Sequence, residues 1–256
     1  MTITFIGTGS GKASITRHHS SILISASENN LLVDAGDGIS RALLKSSIDF
    51  NSIDGILFTH LHPDHYTGFA ALIVQMKMNK RSTELKVYVH YTLIDVLKNF
   101  LLTSYILPER LGFLISYISF KKNEIINFGN EIKFQAFENS HLAELAALNK
   151  YSSLSYFAGS FLFFYREKKI FYSSDVGSVE DILIPQALNT NILIIEVTHL
   201  TNDEIAKVIK KCQPELVYFT HITDGQEESL TRFQNELMMH SKVRTIISQD
   251  GLSFKI

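Results

Sequence analysis

The sequence predicts an α/β fold, and three observations carry that prediction. Short apolar runs of β type fill the first quarter of the chain, and further on such runs alternate with stretches of helical composition. Hydrophobic residues make up 45% of 256 positions, ample for a substantial core. No low-complexity linker or repeat of solenoid period breaks the alternation, so a single domain over residues 1–256 is expected.

Residues 2–6, 21–25, 31–33 and 55–58 read as strands, each bounded by Gly, Ser, Asn or Asp. Residues 66–78 read as a helix, with Phe69, Ala70, Ile73, Val74 and Met76 near one face. A strand is expected at 86–89 and a helix at 92–105, and Pro108 opens a further helical stretch through Leu114. This apolar helical segment, about 91–118, is expected to pack in the core, to cover a site as a lid, or to form a dimer face. Asp95, Lys98, Pro108, Glu109 and Arg110 interrupt it, so no stretch of membrane-spanning length arises. Beyond it, strands are expected at 132–137, 155–165 and 169–172; strand and helix then alternate through 191–197, 203–211, 215–220, 227–239, 243–247 and 252–255.

A formal charge of −2 gives no general attraction to nucleic acid. Cys212 is the one cysteine, which rules out an intrachain disulfide and zinc held by several thiolates. The first residues lack a basic segment followed by an apolar stretch and a small-residue cleavage site, so a cytoplasmic location is expected.

Chemistry concentrates in Thr59-His60-Leu61-His62-Pro63-Asp64-His65, directly after the apolar Ile56-Leu57-Phe58. Alternate residues of extended chain share a side, so His60 and His62 can face one way. Pro63 cannot continue a ladder and biases His62 away from helix; the chain turns there and can bring Asp64 and His65 toward the same centre. Imidazole nitrogen with carboxylate oxygen suits zinc, with manganese and iron as rivals. Three later candidates each sit just past an expected strand end: His141, Asp175 and His221. Loops beyond one edge of a sheet are where a rigid framework gathers site residues from distant sequence.

With His60-Leu61-His62-Pro63-Asp64-His65 followed in order by His141, Asp175 and His221, the chain resembles the metallo-β-lactamase-fold metallohydrolases over nearly its whole length. The resemblance implies a four-layer αββα sandwich of two mixed β-sheets with flanking helices. It also implies two divalent ions, one held by His60, His62 and His141, the other by Asp64, His65 and His221, with Asp175 bridging. Ile6-Gly7-Thr8-Gly9-Ser10-Gly11 and Leu32-Val33-Asp34-Ala35-Gly36-Asp37-Gly38 narrow the likeness to the branch of ribonuclease Z and cyclic phosphodiesterases. Their glycines permit close backbone approach, and Asp34 can hydrogen-bond the ligand-bearing loop. The chain departs from ribonuclease Z in having only 33 residues between His141 and Asp175, where long-tRNA processing enzymes carry a protruding arm. The usual His-Ser-Thr segment is replaced by Glu196-Val197-Thr198-His199.

Two ions about 3.5–4 Å apart can share a hydroxide and stabilise both oxygens of an in-line displacement. The expected activity is therefore hydrolysis of a small cyclic or nucleotide-like phosphodiester or an RNA end, with Asp64 as ligand and orienter and His199 as proton donor to the leaving group. A homodimer is a possible assembly, and no membrane partner is expected. Lactone, thioester or β-lactam hydrolysis is the alternative on this scaffold, followed by iron-dependent redox chemistry or a non-catalytic interaction role. Ser174 and Thr223, beside two ligands, read first as turn and cap residues, and Arg17, His18 and His19 as a loop that could bind an anion.

Overall fold

The computed structural model describes residues 1–148, 150–151, 153–241 and 243–256. These fall into two compact units, each built on its own mixed sheet with flanking helices.

The first unit comprises residues 1–11, 17–121 and 249–256. Its strands are β1 (Thr2–Gly7), β2 (Ser21–Ala26), β3 (Asn29–Val33), β4 (Gly55–Leu57), β5 (Leu85–His90) and β6 (Ile115–Phe120), which lie in that order, and Ser253–Lys255 closes the sheet beside β1. From β1 to β3 the pairing is antiparallel; from β3 to β6 it is parallel, so the chain must cross over a helix between strands. The crossovers are α1 (Ile39–Lys45), then α2 (Pro63–Tyr66) with α3 (Phe69–Met78), then α4 (Ile94–Thr103). Phe58 and Phe69 meet edge to face at 5.2 Å and tie β4 to α3 in the core.

Two glycines let this packing close. A Cβ on Gly36 would lie 1.8 Å from the Asp64 carbonyl oxygen, and one on Gly68 would lie 2.0 Å from the Gly36 carbonyl oxygen. Both contacts are with backbone, which cannot swing aside as a side chain could. The loop after β3 is thereby pressed against α2 and the start of α3.

The second unit comprises residues 12–16 and 122–248. Strands β7 (Ile125–Phe128), β8 (Ile132–Glu138), β9 (Gly159–Tyr165) and β10 (Lys168–Tyr172) pair antiparallel. Strands β11 (Ile192–Glu196), β12 (Leu216–Thr220) and β13 (Arg244–Ile247) follow β10 in parallel. Besides the short α5 (Ala143–Ala147), the unit carries α6 (Asn202–Cys212) and α7 (Glu227–His240). A Thr201/Glu204 capping box starts α6, and Ile205, Val208, Ile209 and Cys212 bury one stripe of it against Leu193, Ile195, Val217 and Phe219. Each such aliphatic side chain contributes about 1.5–3 kcal/mol on burial. Burial also pushes the Cys212 thiol up to about 11, so it stays protonated and unreactive near neutral pH.

The structure corrects the expected helical segment at 91–118. Helix α4 is present, but Pro108 opens only a short 3-10 turn, Pro108–Arg110, and the chain then enters strand β6. A short apolar run bounded by breakers is compatible with either state, and here a place at the sheet edge beside β5 decides it. Residues 155–158 do not join β9, and α1 interrupts a quarter expected to be mostly sheet.

Candidate metal centre

In the first unit the site grows from the carboxyl ends of β3 and β4. Asp34 leaves β3 in the left-handed region, φ 62, fully buried. Its Oδ1 accepts from Thr59 N at 2.8 Å, and its Oδ2 accepts from Thr59 Oγ1 and from His65 Nδ1, each at 2.8 Å. Burial raises the Asp34 carboxyl above its ordinary pKa, against the pull of His65 and the Thr59 hydrogen bonds. These bonds set the ring tautomers. With His65 Nδ1 donating to Asp34, Nε2 presents the lone pair. The Thr59 hydroxyl has spent its hydrogen on Asp34, so it accepts from His60 Nδ1 at 3.1 Å and leaves His60 Nε2 as that ring's donor to a metal.

Pro63 begins α2 after an extended His62, as the turn expected at that residue requires, and Asp64 and His65 occupy the first helical turn. The His60 ring lies 4.8 Å from that of His62 and 4.1 Å from that of His65. His65 Nε2 and Asp64 Oδ2 are 3.4 Å apart.

In the second unit the loops after β8, β10, β11 and β12 converge. Asn139 joins two of them, its Nδ2 donating to the Asp175 carbonyl at 2.9 Å while its Oδ1 accepts from His141 N at 3.2 Å. Asp181 accepts from Ser140 N, Ser140 Oγ and Gly177 N, holding the same two loops from another side. Asp175 Oδ2 stands 3.3 Å from His221 Nε2 and 3.7 Å from His141 Nε2. One carboxylate oxygen thus faces two imidazole nitrogens, the arrangement a shared ligand needs.

Metal–donor bonds of about 2.0–2.2 Å at tetrahedral angles set neighbouring donor atoms about 3.3–3.6 Å apart. The spacings of Asp64 with His65 and of Asp175 with His221 fall in that range. Nitrogen and oxygen donors suit zinc, manganese or iron, so the residues present fit a divalent cation.

His199 joins the second cluster, its ring 4.8 Å from that of His141 and 5.5 Å from that of His221. The chain turns after β11, and the fully buried Glu196 accepts from Thr198 N at 2.7 Å, His199 N at 2.9 Å and His199 Nδ1 at 3.1 Å. Thr198 Oγ1 donates to the His221 carbonyl, which links the histidine-bearing loops. Thr223 N bonds Gln226 Oε1, a turn role, and Arg17 and His18 are engaged with Thr8 and Asp250. Sequence reasoning missed Asn139 and Asp181, which read as ordinary turn residues; a Glu closing an otherwise apolar strand was the available signal for Glu196.

Ribonuclease Z of Archaeoglobus fulgidus is 38% identical over 86 residues, 34% of this chain and 28% of that protein. Ribonuclease Z of Prochlorococcus marinus strain MIT 9312 is 31% identical over 158 residues, 61% of this chain and 48% of that protein. The matches therefore span about a quarter to a half of these relatives. Among solved structures, the metallo-β-lactamase fold protein YhfI from Bacillus subtilis superposes with TM-score 0.78 at 17% identity, covering 99% of this chain and 98% of that one. Human tRNase Z, short form, gives TM-score 0.74 at 20% identity, covering 100% and 99%. At such identities the likeness is one of fold, and the fold is the metallo-β-lactamase fold. Within it, the family described as Anti-Pycsar protein Apyc1 matches residues 1–228, nearly all of the site-bearing sequence, and the chain belongs to that family.

Proposed function

We propose that this chain is a divalent-metal-dependent phosphodiesterase acting on a small cyclic or nucleotide-like phosphodiester, in which the ligand sets of the two units together hold two ions. The observation that carries this reading is the donor spacing: carboxylate oxygen and imidazole nitrogen lie 3.4 Å apart at Asp64 and His65, and 3.3 Å apart at Asp175 and His221. His60, His62 and His141 take one ion, Asp64, His65 and His221 the other, and Asp175 serves both. Zinc is the first choice, with manganese or iron as rivals. Bound ions of this kind activate water as the nucleophile and neutralise charge on the phosphoryl oxygens.

The chain's own groups supply the rest. Asp34 holds His65, and through Thr59 also His60, in the ligating tautomer. Asp64 orients the nucleophile. His199, fixed by Glu196, donates the proton that a departing alkoxide needs. The names of the ribonuclease Z relatives support phosphodiester chemistry and bring an RNA end within range. The short connection of 33 residues between His141 and Asp175 favours a small substrate over a gripped tRNA. Exposed Leu102, Tyr105, Leu107 and Leu114, beside an apolar cavity of about 290 Å³, support a homodimer face in the first unit.

The test is a substrate panel with the zinc- or manganese-loaded protein. The expected result is hydrolysis of bis(p-nitrophenyl) phosphate and of nucleoside cyclic monophosphates, with an acyl homoserine lactone left intact. Lactone hydrolysis without diester hydrolysis would move the chain to another reaction on the same fold.

A further inference from the structure

The carboxyl edge of the first unit's parallel strands continues past the histidine loop, and what stands there is unused by the chemistry above. Leu57 of β4 pairs with Tyr88 of β5, and Phe58 N bonds the Tyr88 carbonyl at 3.0 Å. His60 and Tyr91 therefore leave the sheet at the same height, each three residues beyond a paired position. Adjacent strands are about 4.8 Å apart, so Tyr91 emerges one strand spacing from the ligand-bearing chain. His90 pairs with Phe120 at the end of β6, which brings Lys121 level with Tyr91 one strand further out.

Tyr91 is 53% exposed and contributes little to the core. Its ring is nevertheless held in place. His90 packs against it at 4.5 Å and is itself fixed by Phe120 at 6.1 Å and by a 2.8 Å bond between Nδ1 and Thr92 Oγ1. Lys121 Nζ lies over the Tyr91 ring, 6.0 Å from its centroid. An immobilised aromatic ring with an ammonium group on its face, at the carboxyl edge of parallel strands where ligands of α/β sheets bind, suits a flat, π-rich group that bears hydrogen-bond acceptors.

We propose that Tyr91 and Lys121 form a nucleobase subsite. The base stacks on the Tyr91 ring, exchanging a weak exposed cation–π contact for π overlap, while Lys121 swings to donate to a base carbonyl or ring nitrogen. This inference rests on the phosphodiesterase reading for its substrate, and it makes that substrate a nucleotide.

The experiment compares a nucleoside 3′,5′-cyclic monophosphate with base-free ribose 3′,5′-cyclic phosphate, and, by calorimetry, a nucleoside 5′-monophosphate with ribose 5-phosphate, all on the metal-loaded protein. The wild-type chain should prefer the base-bearing partner in both comparisons. Tyr91→Ala should cut that preference about tenfold or more through KM rather than kcat, Tyr91→Phe should restore it, and Lys121→Ala should lower it to an intermediate level. An undiminished preference in Tyr91→Ala, whatever its oligomeric state, overturns the subsite. If neither cyclic diester is hydrolysed the phosphodiesterase reading falls, and the binding comparison still decides whether a base is recognised at Tyr91.

Discussion

Single side chains define what this protein can do, and the most consequential ones besides the ligands are two buried carboxylates. Asp34 has one oxygen shared between Thr59 and His65, so its loss frees two ligand rings at once. Asp34→Ala should lower metal affinity about 10–100-fold in a chelator competition assay, since outer partners of this kind usually matter by that factor. Affinity equal to wild type would mean the rings are fixed by packing alone. At His199 the leaving group discriminates between roles. His199→Ala should lower kcat about 10²–10⁴-fold on a cyclic nucleotide, whose alkoxide needs a proton, and far less on bis(p-nitrophenyl) phosphate, whose phenolate does not. Equal losses on both would make His199 a binding or structural residue. The ligands were legible because three histidines and an aspartate within six positions, echoed by polar residues after later strands, form a pattern that chance seldom produces. Asn139 and Asp181 were not, because a loop-pinning amide or carboxylate has the same sequence appearance as any turn former.

At the scale of elements, strand ends and the turns after them place the site. Helix α2 is only four residues long and could not hold its shape alone; it is held because Pro63 starts it and the loop at Gly36 closes on the Asp64 carbonyl. Gly36→Ala should therefore destabilise the protein by at least about 1–3 kcal/mol in denaturant unfolding, the range for overpacking, and should weaken metal binding with it. A stability change near zero would show that the loop can back away. Long, well-punctuated elements such as α3, α6 and β12 were readable in advance from period and caps. Strand β6 was not, because the apolar composition of Ile115–Phe120 continues that of the segment before it, and only pairing with β5 settles its state. Helix α1 was hidden by its seven-residue length and by a start at Gly38, φ 76, without a side-chain cap.

For the whole molecule, the order of strands and crossovers could be read from alternation and motif spacing, whereas surface roles depend on which apolar residues the fold leaves exposed. Tyr105, 90% exposed, and Leu114, 63% exposed, are the clearest of these, and neither is distinguishable in sequence from its buried neighbours Leu111 and Phe113. If they form a homodimer face, Tyr105→Glu combined with Leu114→Glu should convert a dimeric mass to a monomeric one in analytical ultracentrifugation; a wild-type chain that is already monomeric removes the proposal. The central claim is that two donor sets, one from each unit, hold two ions that drive phosphodiester hydrolysis. The most direct measurement is a zinc titration of chelator-stripped protein while hydrolysis of bis(p-nitrophenyl) phosphate is followed. The account predicts no turnover without metal and a rise to a plateau at about two equivalents per chain. Turnover that persists in the stripped protein, or zinc bound without any diester hydrolysis, would contradict it.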